Sequence, residues 1–312
     1  MHQRVPISDA AHRRSRQGVI YGVLSYGLWG LVPLYFKWVA DVAPTEVLAQ
    51  RVVWSFVLLA AMVTVLGRWR ELRAALVTPK VVLVLLASTM LLALNWFTYI
   101  YAVSTNQVVE ASLGYFLNPL VNVILGVAIL KERLRGWQLA SIVLAGIGVV
   151  ILGAPVIAVT LAVSFAFYGL LRKMVAVDGL LGLTIETILG VPLAIGFIIW
   201  LETEGRSAFV LSDKLTCLKL MASGAVTAAP LLLFTASARR LRFSTLGFLQ
   251  YLAPTVQFIL AVTLFGEPLS DEKIAALACI WSAVAIYSLD SLRQYRATRS
   301  VAEVVEPAPA DL

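Results

Sequence analysis

Residues 107–130, QVVEASLGYFLNPLVNVILGVAIL, form an apolar run with a proline in its interior and Lys131-Glu132-Arg133 at its close. A transmembrane helix takes about 20 apolar residues, so this run is expected to span a bilayer. Residues 243–265, FSTLGFLQYLAPTVQFILAVTLF, carry the same landmarks 135 residues further on. At that single offset Pro119 corresponds to Pro254, Asn122 to Gln257, Glu132 to Glu267 and Leu134 to Leu269. Asn95 and Tyr99 correspond to Pro230 and Phe234 at the same offset, and Gly30 and Glu46 to Gly169 and Glu186 at 139–140. An offset that drifts only through loops marks a duplication.

Eight further apolar runs lie at about 18–39, 45–66, 80–104, 136–153, 155–172, 179–201, 215–238 and 272–289. The chain has 312 residues, 60% of them hydrophobic and 14% charged. Soluble domains carry about 25% charged residues, so an ordinary soluble enzyme and a disordered chain are both excluded. The expected fold is all-α integral membrane, with ten transmembrane helices as two inverted five-helix repeats, 18–153 and 154–290. A basic leader, 1–17, precedes them, and a tail expected to be disordered, 291–312, follows. Five is odd, so the second repeat enters the membrane from the opposite side. Such repeats place the substrate site near the midplane, between the halves.

The loop charges give the orientation. One side holds Arg4, Arg13, Arg14, Arg16, Arg68, Arg70, Arg73, Lys80, Lys131, Arg133, Arg135, Arg172 and Lys173. Arg239, Arg240, Arg242, Arg293, Arg296 and Arg299 continue that side, whereas the other holds only Arg206, Lys214 and Lys273. The bias sets both termini in the cytoplasm of a multi-pass protein of the cell (inner) membrane. It also accounts for the net charge of +7 with no nucleic-acid partner.

Several chemistries are missing. Cys217 and Cys279 lie in apolar runs and are expected to be small buried hydrophobes. His2 and His12 sit in the polar leader, so no metal or histidine-based site is expected. No G-x-x-x-x-G-K-[ST] loop is present, so no ATP is used, and no G-x-S-x-G, H-E-x-x-H or CxxC occurs. No cofactor is expected. An integral-membrane enzyme acting on lipids would need clustered Asp, Glu or His at a membrane edge, which these short loops do not offer. A channel is the other alternative, and an inverted repeat with broken helices favours alternating access over it.

Five segments, GLWGLVPLYFK (27–37), EVLAQRVVWS (46–55), NW (95–96), ASLGYFLNPL (111–120) and QYLAPT (250–255), resemble the RarD group of EamA-domain proteins. That group belongs to the drug/metabolite transporter superfamily, and the resemblance covers roughly residues 18–290. It implies ten helices, two EamA repeats and an inner-membrane permease that moves small organic solutes outward. Members of the group are associated with chloramphenicol resistance. One departure is visible: Gly-Glu often follows the fourth helix of each repeat, and Gly266-Glu267 fits where Lys131-Glu132 does not.

The expected site is a set of polar and aromatic residues inside the spans. The 107–130 run carries Glu110, Gly114, Asn118, Asn122 and Gly126 at four-residue spacing, on one slowly drifting face. Its partner run places Gln250, Pro254, Gln257 and Ala261 likewise. Amides in hydrocarbon need partners, so these faces should look inward, as a cavity lining or as interhelical glue. Pro119 and Pro254 each free a carbonyl and are expected to break their helices. Asn95, Trp96 and Tyr99 add a polar–aromatic cluster, with Tyr115 and Tyr251 near the breaks. This lining can stack a ring and bond its polar edge, so an aromatic or amphipathic small-molecule substrate is expected. Arg51, Glu110 and Glu186 are the candidate coupling or ion-pair residues, with Glu186 the expected partner of Arg51 or a proton site. Ser141, Ala145, Gly146 and Gly148, with Ala275, Ala278, Ser282 and Ala285, suit tight helix packing in the bundle or in a homodimer.

Overall fold

The computed structural model of the chain describes residues 9–131, 136–153, 155–238, 240–241 and 249–305. Every regular element among them is a helix: α1 Asp9–Trp38, α2 Pro44–Val65, α3 Trp69–Leu76, α4 Pro79–Ser104, α5 Val108–Leu130 and α6 Gly136–Ile151, then α7 Val156–Lys173, α8 Gly179–Thr203, α9 Lys214–Ala238, α10 Leu252–Thr263 and α11 Asp271–Val305. Seven of these, in α1, α2, α4, α5, α8, α9 and α11, hold stretches long and apolar enough to cross a membrane, while α6, α7 and α10 are shorter and apolar. Glu132, expected to cap the turn after α5, lies outside the described residues.

Local chemistry explains the helix limits. Pro44 and Pro79 open α2 and α4, where the missing N–H is one that no helical carbonyl would have accepted. The Asp178 carboxylate accepts the Leu181 N–H at 3.1 Å and so caps α8. Helices α2 and α8 both end at a left-handed glycine, Gly67 (φ 65°) and Gly205 (φ 64°), a conformation that a Cβ would strain. One sequence expectation changes here. The 66–79 loop contains the short helix α3, whose Leu72 is buried against α2 and α4. Of the 243–265 run, residues 243–248 lie outside the described residues; Leu249 is helical, Gln250 and Tyr251 form a turn, and α10 follows from Leu252.

The packing interleaves the two parts of the chain. Helix α1 lies on α9 and α10, α5 on α7, α2 on α8 and α9, α4 on α7, and α6 on α11. Glycines permit the closest approaches: a Cβ on Gly114 would sit 2.7 Å from the Ala158 carbonyl of α7, and one on Gly224 only 2.5 Å from the Trp54 carbonyl of α2. Gly30 meets Val256, and Gly148 meets Ala276 and Ile280, in the same way. On α6, Ser141, Ala145 and Gly148 face the bundle. On α11 the buried apolar residues are Ala276, Leu277, Ile280 and Ala283, while Ala275, Ala278, Ser282 and Ala285 point outward. Ala276, Cys279 and Ile280 are what face Gly148 across this contact. Outside, large apolar side chains such as Leu83, Val150 and Leu193 are 69–81% exposed. So extensive an apolar surface is suited to lipid rather than water.

Candidate functional site

Arg51 lies seven residues into α2, about 10 Å along the helix at 1.5 Å per residue. Its side chain is buried, and its Nε–H donates to Thr227 Oγ1 of α9 at 2.9 Å. The guanidinium carbon is 4.0 Å from the Trp96 ring centroid and 5.4 Å from that of Phe36. No carboxylate comes within ion-pair distance of it among the described residues. Burying an ion costs several kcal/mol even after relaxation. A desolvated cation–ring contact returns about 2 kcal/mol, so the ring faces offset only part of the cost.

The residues around Arg51 come from both parts of the chain. Asn95, Trp96 and Tyr99 share a face of α4, as their spacing requires. Asn95 is buried, and its Nδ2 donates to Leu161 O at 3.1 Å and Ser164 Oγ at 3.0 Å of α7, while the Tyr115 hydroxyl of α5 reaches its Oδ1 at 3.4 Å. Rings run on from Phe36 to Tyr99 (5.9 Å between centroids), Tyr115 (5.6 Å), Phe165 (6.3 Å) and Tyr168 (5.9 Å). The Tyr99 hydroxyl and Ser55 Oγ, both buried, have no hydrogen-bond partner among the described residues.

The remaining expected residues divide. Asn118 and Gln257 are buried, each with its amide oxygen unpaired, and Gln257 Nε2 donates to Trp29 O at 3.1 Å. Tyr251 stacks on Phe116 at 6.3 Å, and Gln250 sits half-buried in the turn before α10. Asn122 is exposed rather than inward, because α5 turns its Leu125 and Gly126 toward the bundle instead. Helix α5 also runs unbroken through Pro119, whose neighbours are all buried. Pro254 falls in the first turn of α10, where its missing N–H leaves no helical carbonyl unserved. Glu110 is half-buried in the first turn of α5, with the charges of Lys273 and Glu267 near it.

Glu186 does not meet Arg51. It is buried seven residues into α8, where Ser88 Oγ donates to it at 2.5 Å and the Tyr168 hydroxyl at 3.3 Å. The Arg172 Nε stands 3.9 Å away. Arg172 comes from the α7 end of the same turn and is therefore the nearer cation. At the opposite end of the bundle two carboxylates tie the parts of the chain together. Glu267 accepts the Val108 and Val109 N–H groups at the start of α5, at 2.7 and 2.9 Å. Glu46 accepts Ser207 Oγ and the N–H groups of Ala208 and Phe209 at 2.9–3.3 Å.

Sequence reasoning missed Tyr35, Phe36, Thr227, Ser164, Tyr168 and Arg172. Tyr35 and Phe36 stood inside a quoted segment, GLWGLVPLYFK, whose aromatic pair one turn before a helix end was the available signal. Thr227 and Ser164 carry no such signal, since a hydroxyl in an apolar run usually bonds its own helix.

The sequence profile of the EamA-like transporter family matches residues 16–154. An uncharacterized transporter of Vibrio cholerae is 42% identical over 290 residues, covering 91% of this chain and 96% of its own. Protein RarD of Escherichia coli is 41% identical over 92% of this chain and 98% of its own. A chloramphenicol-sensitive protein RarD of Pseudomonas aeruginosa is 30% identical over 91% and 97% respectively. A solved crystal structure with 22% identity shares the fold across 89% of this chain and 98% of its own, with a TM-score of 0.57.

Proposed function

The chain belongs to the RarD group of the EamA-like transporter family, a multi-pass membrane transporter, and from that premise we propose a secondary carrier of small organic metabolites or drugs working by alternating access. The observation that carries the reading is the buried cluster around Arg51, built of rings and polar side chains from helices on both sides of residue 153. Such a cluster suits aromatic or amphipathic solutes, and chloramphenicol, from the name of the Pseudomonas relative, is one to test. Ten spans in two inverted repeats are part of the proposal. The helix pairing supports it: exchanging the halves turns the α1–α9 contact into α7–α4 and the α5–α7 contact into α10–α1, while α2–α8 and α6–α11 map onto themselves. The basic loops support cytoplasmic termini in the inner membrane. Outward transport follows the family resemblance, and a gradient supplies the drive because the sequence holds no nucleotide loop.

Purified protein in proteoliposomes is expected to show saturable uptake and counterflow of aromatic solutes. Conductance without saturation or exchange would replace the carrier with a channel. Reporter fusions after Gly205 and Arg240 should lie on opposite sides; the same side for both overturns the inverted repeat. Glu186 and Glu110 are the proposed proton carriers. In inside-out vesicles a pH step, acid inside, is expected to raise transport by the wild type and not by Glu186→Gln. Equal transport with and without the step removes proton coupling.

A further inference from the structure

We infer that Arg51 is the seat of an anionic group, so that the carried solute is a ring-bearing monoanion such as an aromatic carboxylate. This rests on the transport reading and narrows its substrate class. The argument starts from what Arg51 lacks. Arg51 is 7% exposed, and among the described residues its one side-chain acceptor is Thr227 Oγ1, bonded to the Nε–H. Two rings, Trp96 and Phe36, flank the guanidinium carbon. Ring faces attract a cation but accept none of its N–H bonds, whose donors lie in the guanidinium plane. That plane presents a fork matched to the two oxygens of a carboxylate.

Two nearby groups want the same occupant. Ser55 is one helical turn beyond Arg51 on α2, and Tyr99 packs edge-on against Phe36. Both hydroxyls are buried and neither has a partner among the described residues. A carboxylate accepts from such hydroxyls as well as from the guanidinium. The Tyr99–Tyr115 ring pair beside it offers a stacking wall for the rest of the solute. The charge count limits the anion. One buried cation without a counter-ion balances a single negative charge, whereas a dianion would leave one uncompensated and a neutral solute would leave Arg51 so.

The test is a thermal-shift comparison on the full-length protein in detergent. The probes are benzoate and indole-3-carboxylate against their neutral isosteres, benzamide and indole-3-carboxamide. Both carboxylates are expected to raise the Tm in a saturable way and with at least tenfold tighter apparent affinity than the amides. Arg51→Gln should abolish that preference. If Arg51→Gln does not fold, Arg51→Lys should weaken it, and the wild-type comparison of acid with amide needs no variant. Amides that match the carboxylates, carboxylates that give no shift, or sodium chloride reproducing the shift overturn the inference. Amides that bind and exchange in proteoliposomes would overturn only the anion seat and leave the carrier standing. Absence of any saturable exchange would instead bring down the carrier itself.

Discussion

Helices α2 and α8 lie against each other, and the 140-residue offset that aligns Glu46 with Glu186 aligns Arg51 with Val191. The two helices treat buried charge in opposite ways. Glu186 is surrounded by groups of this chain: one hydroxyl at 2.5 Å, a second at 3.3 Å and a guanidinium at 3.9 Å. Arg51 has a single hydroxyl acceptor and otherwise ring faces. The partners of Glu186 all come from this chain, so no solute is needed to satisfy its charge. Arg51, left short of acceptors, is where the proposed solute anion would be held. The contrast also shows why polarity alone does not mark a substrate site: both residues are buried and ionisable, and only their partners tell them apart.

The contrast can be broken most directly by removing the charges in turn. Arg172→Met leaves Glu186 buried without its cation and is expected to cost about 3 kcal/mol of stability. Arg51→Met removes an uncompensated charge and should be close to neutral, or stabilising, while binding is lost. Denaturant unfolding in detergent checks both, and the reverse order would sink the distinction. Arg172→Met combined with Glu186→Gln should recover most of the first loss, because the two residues share one interaction.

A second comparison adds the same methyl group beside each pocket. At Gly224, one turn from Thr227, the new Cβ would meet the Trp54 carbonyl at 2.5 Å, so helix backbones must part. Gly224→Ala is expected to cost about 1–3 kcal/mol and to loosen the cluster around Arg51. At Gly182 the obstacle is the tip of the Arg172 side chain, which can swing away. Gly182→Ala should therefore act mainly by moving Arg172 off Glu186, at a cost no larger than the about 3 kcal/mol of Arg172→Met. A Gly224→Ala variant that melts like the wild type would mean that the α2–α9 contact is looser than its geometry.

The smallest effect lies at the mouth of the Glu186 pocket. Burial works to raise the Asp178 carboxyl, but the Arg68 hydrogen bond and the Leu181 N–H outweigh it and hold it below the usual carboxylate range. A depressed carboxyl contributes stability that is present above its unfolded pKa and lost as the pH falls through the folded one. Asp178 is partly solvated, so the contribution is expected to be about 0.5 kcal/mol. Asp178→Asn should flatten the acid side of the Tm–pH curve slightly. A curve unchanged by the substitution would leave Asp178 as a helix cap only.

Particular residues show how far the sequence could be read. The apolar runs were visible because lipid demands about 20 uninterrupted apolar residues, and Asn95, Trp96 and Tyr99 were visible because helical spacing puts them on one face. Asn122 was misplaced because spacing fixes only which residues share a face, not which neighbours cover each of them: Gly114, Asn118 and Gly126 of the same stripe are buried and Asn122 is exposed. The partner of Glu186 was missed for a different reason. Arg172 ends α7 among basic loop residues, where sequence offers orientation as its sufficient explanation. Partners across helices depend on rotation about each axis, which no single-helix pattern encodes.

The close contact of Gly114 with Ala158 has a consequence for how the molecule is made. Gly114 is synthesised well before α7, and Gly30 well before α10, so each waits with its groove unfilled while the ribosome is still at work. Neither half can finish its own surface. Severed at the 153/154 junction, the two pieces would each display naked backbone ridges to lipid, and would be stable only once they had found one another.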